Sequence, residues 1–233
     1  MSPIYINNKK IKSIYTNNQS IGKVYVGDEL VFQKDVLSPF ILTSTPPVDW
    51  RSPQNNNLWQ GNITIPAGFI YNEVTNPVTG RTWMDRNLGA SRVALSPNDS
   101  DSYGDLYQWG RDRDGHEKRN SPTTSLLNNG TYDAPNGVSV WKIPTASEWE
   151  EEILSWETNG IDGAFGSILK LPAAGFRSFI DGLIVNIGLG GRYWSRSFLG
   201  DSARSLEFFG NYSTIHVGRE RATGMSVRLI KDI

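Results

Sequence analysis

Two acid-rich stretches carry residues that could bind a metal. Residues 98–101 have the sequence Asn-Asp-Ser-Asp and residues 112–114 have Asp-Arg-Asp, so both offer oxygen ligands at a spacing that could hold calcium. Arg111 and Arg113 neutralise the second stretch, and acids next to short helices commonly cap them. We therefore favour solvated loops with helix-capping acids over a calcium site.

The sequence contains no recognisable catalytic set. His116 and His216 are its two histidines, and it has no cysteine. Isolated histidines make a poor transition-metal site, and the missing cysteine excludes disulfides, thiolate sites and cysteine nucleophiles. No Ser-His-Asp order stands out, and residues 188–191 form a glycine-rich bend with no helix after it to receive a phosphate. We expect no catalytic residue, no metal and no cofactor, and His216 as a surface contact.

Short β-strands are predicted over residues 1–34, a small all-β module. Residues 4–6, 11–15, 21–26 and 29–32 are rich in β-branched and aromatic residues, and turn-forming pairs separate them. A segment of this length cannot bury a stable hydrophobic core by itself. We therefore expect it to anchor the protein or to form an oligomer. Residues 35–65 are rich in proline and asparagine, which predicts a connector.

Residues 66–233 form the larger domain, with a predicted α+β fold. A hairpin is expected around the turn at residues 76–80. One helix is predicted over residues 103–110, where Tyr103, Leu106 and Trp109 are three apart. A second follows the capping box of Thr145 and Glu148. Its apolar stripe is Trp149, Ile153 and Trp156, with residues 150–152 facing out and Gly160 at its end.

Composition limits the partners of the chain. The net charge is −1, so no strong field steers the protein towards nucleic acid. No stretch approaches the roughly 18 apolar residues of a membrane span, so no membrane insertion is expected. The chain has 8 Trp, 9 Tyr and 9 Phe, residues that serve binding surfaces as well as cores.

A candidate ligand-binding face lies between residues 192 and 220. Strand alternation sends Leu206 and Phe208 to one side and Glu207 and Phe209 to the other, and it turns Ile215 and Val217 inward. The outward set mixes aromatic residues, arginines and small polar residues, which is typical of recognition surfaces. The predicted face consists of Arg192, Tyr193, Arg196, Phe198, Asp201, Arg204, Glu207, Phe209, Asn211, Tyr212, His216 and Arg219.

Several separated motifs together resemble a known family. They are residues 83–89, 103–111, 141–149, 169–177, 193–195 and 221–228, with Leu206 and Phe208. In this order they resemble the C-type-lectin-like domain of the branch that contains formylglycine-generating enzymes, the Fibrobacter major paralogous domain and the variable proteins of diversity-generating retroelements. The N-terminal module loosely resembles those of phage tail proteins.

Structural roles are expected for many of the matching residues. Core positions would be Trp194, Leu206, Phe208, Val227 and Leu229. We expect Arg177, Arg221 and Arg228 to donate hydrogen bonds to backbone carbonyls. Gly175 and Gly224 are expected where two backbone segments approach closely. The calcium-binding tripeptides of lectins are missing, and Arg196 would repel calcium near Trp194.

The resemblance implies binding rather than catalysis, because the enzymes of this branch need cysteine. It implies a variable protein of a diversity-generating retroelement, a phage or prophage receptor-binding protein that contacts a host cell-surface protein or glycan. Glu207 and Glu220 fall outside the residues that retroelement mutagenesis produces, which indicates that some face positions are fixed. A receptor-binding role also predicts that the protein assembles as a homotrimer through its N-terminal module.

Two alternative functions stay open beside receptor binding. The expected location of the protein follows from the receptor-binding function. The first alternative is a fixed-specificity bacterial surface adhesion module of the Fibrobacter type, and the second is an inactive relative of the formylglycine-generating enzymes. Residues 1–10 contain no apolar signal segment. We therefore expect a protein made in the bacterial cytoplasm and carried in the virion tail, or alternatively one on the bacterial cell surface.

Overall fold

The protein is seen in a computed structural model. It describes the backbone of four strands between residues 5 and 33, and residues 63, 65, 67–111, 113–121 and 140–231 in full. The chain divides into two compact units, Met1–Asp49 and Trp50–Ile233. Apart from Ile63 and Ile65, the connector predicted over residues 35–65 lies outside the described residues. Neither helix in these ranges is long and apolar enough to cross a membrane.

The first unit contains an antiparallel sheet of four strands. They are β1 (Tyr5–Ile6), β2 (Lys9–Thr16), β3 (Ile21–Val26) and β4 (Glu29–Gln33), in the order β1-β2-β3-β4. The strands predicted in this region are confirmed, with β2 starting two residues earlier than expected. The role of the module in anchoring or oligomerisation stays a prediction.

The second unit begins with the predicted hairpin, β5 (Glu73–Thr75) and β6 (Thr82–Met84). Asn76 forms its turn, since its side-chain oxygen accepts from the Val78 N–H at 2.8 Å and its carbonyl accepts from the Gly80 N–H at 2.8 Å. The hairpin belongs to a four-stranded sheet with β7 (Trp141–Lys142) and β13 (Ile230–Lys231), in the order β5-β6-β13-β7.

A five-stranded sheet carries the region of interest. Its strands are β8 (Ala174–Arg177), β9 (Ile184–Ile187), β10 (Gly190–Leu199), β11 (Ser202–Phe209) and β12 (Tyr212–Glu220), in the order β12-β11-β10-β8-β9. Neighbours are antiparallel except β8 and β10. Gly175 has φ +66°, and a Cβ there would lie 2.3 Å from the Val185 carbonyl oxygen, which confirms the close approach expected of this glycine.

Helix α1 (Ala146–Leu154) begins at the predicted capping box. Thr145 Oγ1 accepts from the Glu148 N–H, and the Glu148 carboxylate accepts from the Thr145 N–H. Trp149 is fully buried, as the stripe predicts. The outward orientation predicted for residues 150–152 is wrong at Glu152, which is fully buried and accepts hydrogen bonds from Asn76 and Trp156.

A second helix starts where the first was expected to end. Gly160 is the first residue of α2 (Gly160–Gly166) rather than the stop of α1. It has φ +73°, and a Cβ at this position would lie 2.0 Å from the Gly210 carbonyl oxygen. Glycine is needed here because α2 packs directly on the turn between β11 and β12.

The helix predicted over residues 103–110 is wrong, because the backbone there bonds to distant segments. The Leu106 N–H donates to Glu117, that of Tyr107 to Met225 and that of Trp109 to Arg221. A short 3-10 helix, Ser100–Ser102, precedes this loop. The three-residue spacing of Tyr103, Leu106 and Trp109 therefore reflects a loop whose apolar side chains are buried by several neighbouring segments. The fold class is nevertheless α+β, with two helices among the described residues.

Two hydrophobic clusters cover opposite faces of β10. On the helical side, Tyr193, Leu206 and Phe208 pack with Trp149. On the other side, Trp194 lies in a cluster with residues from loops, including Trp109, Val227 and Leu229. All five core positions expected from the sequence are buried.

The predicted arginine–carbonyl bonds are present. Arg228 is fully buried and donates to the Leu169 carbonyl at 2.7 Å and to Asn87 Oδ1 at 2.9 Å. Arg177 donates to the Gly182 carbonyl and Arg221 to that of Gly200. Burial lowers the pKa of Arg228 to about 10, so it stays charged in the core at neutral pH.

Candidate ligand-binding face

The residues predicted for the face lie on β10, β11, β12 and their two connecting turns. Asp201 occupies the turn before β11, and Asn211 occupies the turn after it. Strands rise about 3.3 Å per residue, so the eight residues of β11 place the two turns roughly 25 Å apart. The predicted residues therefore form two groups at opposite ends of the sheet rather than one compact site.

Exposure differs among the predicted residues. Exposed are Asp201, Asn211 and Tyr212; half-buried are Arg192, Arg196, Phe198, Arg204, Phe209, His216 and Arg219; buried are Tyr193 and Glu207.

Tyr193 does not belong to the face, and its prediction is wrong. It is fully buried on the helical side, where it stacks on Phe208. Its hydroxyl donates to the Pro172 carbonyl at 2.9 Å and accepts from Asn87 at 3.1 Å. Burial raises its pKa to about 12. Because Arg192 precedes it on an alternating strand, the two side chains point to opposite sides of the sheet.

Glu207 lies on the outer face, as strand alternation predicted, but its neighbours bury it. Only 2% of its side chain is exposed. Arg219 donates to both carboxylate oxygens, with a distance of 2.6 Å between Nη2 and Oε2, and Ser205 donates at 3.1 Å. A buried carboxylate needs such partners. Glu207 therefore holds two strands of the face together and is not itself available to a ligand.

Aromatic rings surround the guanidinium of Arg192. It lies 3.5 Å from the ring centroid of Phe176 and 5.6 Å from that of Phe209, and Phe209 stacks on Tyr212. Its Nε is 3.4 Å from a Glu207 oxygen. We define the outer-face cluster as Arg192, Glu207, Arg219, Phe176, Phe209 and Tyr212. Burial lowers the pKa of Arg192, against the attraction of Glu207, which raises it.

The second group surrounds Phe198 at the far end of β10. Its ring meets that of Trp109 edge-on, with centroids 5.7 Å apart. The Arg221 guanidinium covers Trp109 at 4.4 Å and holds the β10–β11 turn through the Gly200 carbonyl. This end of the face is therefore built on a cation–π stack, with exposed Asp201 at its tip.

The inward orientation predicted for Val217 is wrong, because its side chain is 53% exposed. Ile215 pairs with Leu206 and packs on the helical-side core, as expected. The pairing of β11 with β12 then shifts between Ala203 and Ser205. This irregularity interrupts the alternation, so Val217 reaches the surface. His216 is half-buried, and its Nδ1 accepts from the Gly218 N–H at 3.2 Å.

Sequence reasoning missed Phe176, Trp109 and Arg221 as parts of the face. Phe176 comes from β8, which joins β10 by a single parallel pairing. Trp109 belongs to the loop that was predicted as a helix. Only contacts between distant segments bring these residues to β10, and no local pattern in the chain encodes them.

One cluster among the described residues has the composition of a metal site. Ligand atoms of Asp114, His116 and Glu117 lie within 4.8 Å of one another. His116 Nε2 accepts from the Gln108 N–H at 3.1 Å, so Nδ1 carries the proton and donates to Asp114 at 2.7 Å. Both ring nitrogens are therefore engaged, and we interpret the cluster as an internal hydrogen-bond network.

The charge states of this network follow from its contacts. Burial lowers the pKa of His116, against the hydrogen bond to Asp114, which raises it. Burial alone would raise the pKa of Asp114, but hydrogen bonds from the His116 backbone and from Arg111 outweigh it and bring the value to about 2. At neutral pH the pair is therefore a neutral imidazole donating to a carboxylate.

The acids of the first stretch act as the sequence predicted. Asp99 caps the 3-10 helix by accepting from the Asp101 N–H at 3.3 Å, and it pairs with Arg92 at 2.8 Å. Asp112 lies outside the described residues.

A groove of about 420 Å³ lies on the helical side of the molecule. It runs between the turn of the β5–β6 hairpin and α2, with Trp156 among its lining residues. It is separate from the outer-face cluster, which occupies the opposite side of the sheet.

Comparison with protein-family models, with curated proteins and with solved structures finds no match to this chain.

Proposed function

We propose that this protein is the ligand-binding variable protein of a diversity-generating retroelement, with a C-type-lectin-like fold, and that its C-terminal face contacts a ligand on a host cell. The order of the sequence motifs supports the fold assignment. Their expected core residues, such as Trp194 and Phe208, are buried.

The observation that carries this proposal is the contrast between the helical side of the five-stranded sheet and the part of its outer side that the Trp194 cluster leaves uncovered. Its helical side is packed with buried rings such as Tyr193 and Phe208. Its outer side and turns present aromatic and polar residues, among them exposed Tyr212, Asn211 and Asp201. Aromatic and arginine side chains over a rigid support are typical of recognition surfaces.

In this proposal the protein is a phage or prophage tail component. The N-terminal sheet would attach it to the particle, with a homotrimer as the proposed assembly. Several copies on one particle would raise a weak single-site affinity, because the second contact becomes intramolecular. The ligand would be a protein or glycan of the host surface.

Binding to cells tests the function. Fluorescently labelled full-length protein is incubated with bacteria of the producing species and its relatives. Tyr212→Ala is expected to lose binding, whereas Leu154→Ala, on the exposed side of α1, keeps it. Equal binding by the two variants would contradict a role for the outer face.

Sequencing the gene across a natural population tests diversification. Substitutions are expected at exposed positions, including Asp201, Asn211 and Tyr212. Codons for Tyr193 and Glu207 are expected to stay constant, because those side chains are buried. Even variation over the whole gene would contradict the retroelement proposal.

A fixed-specificity bacterial adhesion module is the second candidate. Its support is the interlocking of Glu207 with Arg219 and Ser205, since a change at Glu207 or Arg219 removes the ion pair that joins β11 to β12. Part of the outer face is therefore constrained. Constancy of the exposed codons in the population would favour this candidate.

A further inference from the structure

Arg192 is an incompletely satisfied cation. Its side chain is 14% exposed, and its Nε is buried without a hydrogen-bond partner. Within the described part of the chain, no side-chain donor of Arg192 makes a hydrogen bond, and its one ion pair is the 3.4 Å contact with Glu207. Phe176 at 3.5 Å holds the guanidinium plane in place. Such a group is preorganised for an external acceptor.

Glu207 does not neutralise both of its arginines. Arg219 takes the two carboxylate oxygens in a fork, and Ser205 also donates to one of them. Arg192, Arg219 and Glu207 together carry a net charge of about +1, and the exposed carboxylate of Glu220 also attracts Arg192. That charge lies on Arg192, whose Nε is 3.4 Å from a Glu207 oxygen and whose Nη1 and Nη2 make no hydrogen bond within the described part of the chain.

The size of this charge and the shape of the fork select the ligand group. A planar carboxylate matches the guanidinium fork and brings one negative charge. A phosphate dianion would place an excess negative charge beside buried Glu207, which costs free energy. A cation would meet an uncompensated arginine and be repelled.

We propose that Arg192 is the anchor of a carboxylate-binding subsite, which receives an acidic side chain or the C-terminal carboxylate of a peptide segment in the ligand. This inference rests on the proposed function, because it names the chemistry that the outer face selects. Exposed Tyr212, stacked on Phe209, forms the apolar wall beside it.

A peptide is the favoured occupant over an acidic glycan. The guanidinium covers the ring of Phe176 and lies near that of Phe209, and Phe209 also stacks on Tyr212. The Arg192 guanidinium and Tyr212 cover faces of Phe176 and Phe209, so the half-exposed ring of Tyr212 is the main open ring face of the cluster. The ring edges of the cluster and the Tyr212 hydroxyl are also available to a ligand. These groups suit contacts with the side chains and backbone of a peptide.

The test uses the full-length chain labelled with 15N-arginine and three probes: poly-L-glutamate, poly-L-lysine and hyaluronan. Poly-L-glutamate is expected to shift the Nε–Hε resonance of Arg192, and poly-L-lysine is expected to leave it in place. Arg192→Gln should weaken poly-L-glutamate binding roughly tenfold, and Arg192→Lys should weaken it less, because it keeps the charge but loses the fork.

A charge-matched control is Lys231→Gln, on the other sheet of the unit, which should bind poly-L-glutamate as the wild type does. The proposal is overturned if Arg192→Gln binds equally well, if the control loses as much, or if the wild-type resonance does not move. Tighter binding of hyaluronan would overturn the assignment to a peptide.

Failure of this inference is distinguishable from failure of the proposed function. If Tyr212→Ala abolishes binding to cells but poly-L-glutamate leaves the Arg192 resonance unchanged, the outer face binds and the carboxylate subsite is wrong. If poly-L-glutamate binds at Arg192 but no cells are bound, the subsite stands and the receptor-binding function fails.

Discussion

Asn76 and Glu152, 76 residues apart in the chain, share a buried 2.8 Å hydrogen bond from Nδ2 to Oε2. The bond ties the turn of the β5–β6 hairpin to the inner side of α1. The Trp156 indole donates to the other carboxylate oxygen at 3.2 Å. Burial raises the pKa of Glu152, and the hydrogen bonds from Asn76 and Trp156 oppose that rise. The carboxylate is tolerated in the core because these donors satisfy it.

Replacing Asn76 with alanine is expected to destabilise the second unit by about 2–3 kcal/mol, since it leaves an oxygen of Glu152 without its donor and weakens the turn. Urea denaturation at pH 7 measures the loss. Thr79→Ala, which removes one part-buried turn bond, is the control and should cost about 1 kcal/mol or less. A cost for Asn76→Ala no larger than the control's would contradict the role of the bond.

His116 makes stability depend on pH. Its pKa is below the ordinary value of 6.5 in the folded chain, so as pH falls below 6.5 the unfolded chain takes up a proton that the folded chain does not. Stability present above pH 6.5 is therefore lost on acidification. Urea denaturation at pH 7.5 and at pH 5 measures the loss, and the free energy of unfolding should be smaller at pH 5.

The two histidines of the chain provide a matched pair of variants for this effect. His116→Gln should flatten the dependence between pH 7.5 and pH 5, whereas His216→Gln, on the edge strand β12, should keep it. An unchanged slope in His116→Gln would show that other groups cause the dependence.

Gly160→Ala is expected to cost at least about 2 kcal/mol. Its φ is +73°, and the added Cβ would lie 2.0 Å from the Gly210 carbonyl oxygen, so the turn beside Asn211 must move. Gly218→Ala is the control, because nothing lies within 4 Å of a Cβ there. Thermal unfolding of the two variants should separate them by several degrees. Similar melting temperatures would refute the close approach.

Glu207 and Arg219 should be energetically coupled by about 1.5–3 kcal/mol, because the pair is largely buried. Each single alanine variant removes the main partner of the remaining charge, so the double variant should be more stable than additivity predicts. A double-mutant cycle in urea measures this coupling. Additive effects would mean that the ion pair contributes little.

Sequence patterns predicted the local elements well. The capping box of Thr145 and Glu148 fixed the start of α1, and the turn at Asn76 fixed the first hairpin. These signals succeed because donors and acceptors lie within a few residues of each other. Strand alternation also placed Leu206 and Phe208 of β11 correctly, whereas Tyr193 of β10 was wrongly assigned to the face.

Errors arose where distant segments decide the conformation. The loop that contains Leu106 sends its N–H groups to remote carbonyls, which no helical period can reveal. The shift between β11 and β12 moved Val217 to the surface, and neighbours buried Glu207 although its direction was right. In the candidate site, Phe176 could not be assigned without the pairing of β8 with β10.

Tyr193 and Trp194 bury opposite faces of β10, whereas β12 has one neighbouring strand in its sheet and largely exposed side chains. A replacement in β10 must therefore satisfy two cores at once. At exposed positions of β12, such as Tyr212 and Val217, a replacement perturbs one neighbouring strand and the solvent. Tolerance to mutation should therefore increase from β10 to the exposed positions of β12, and under the proposed function new specificities would arise there at little cost to folding.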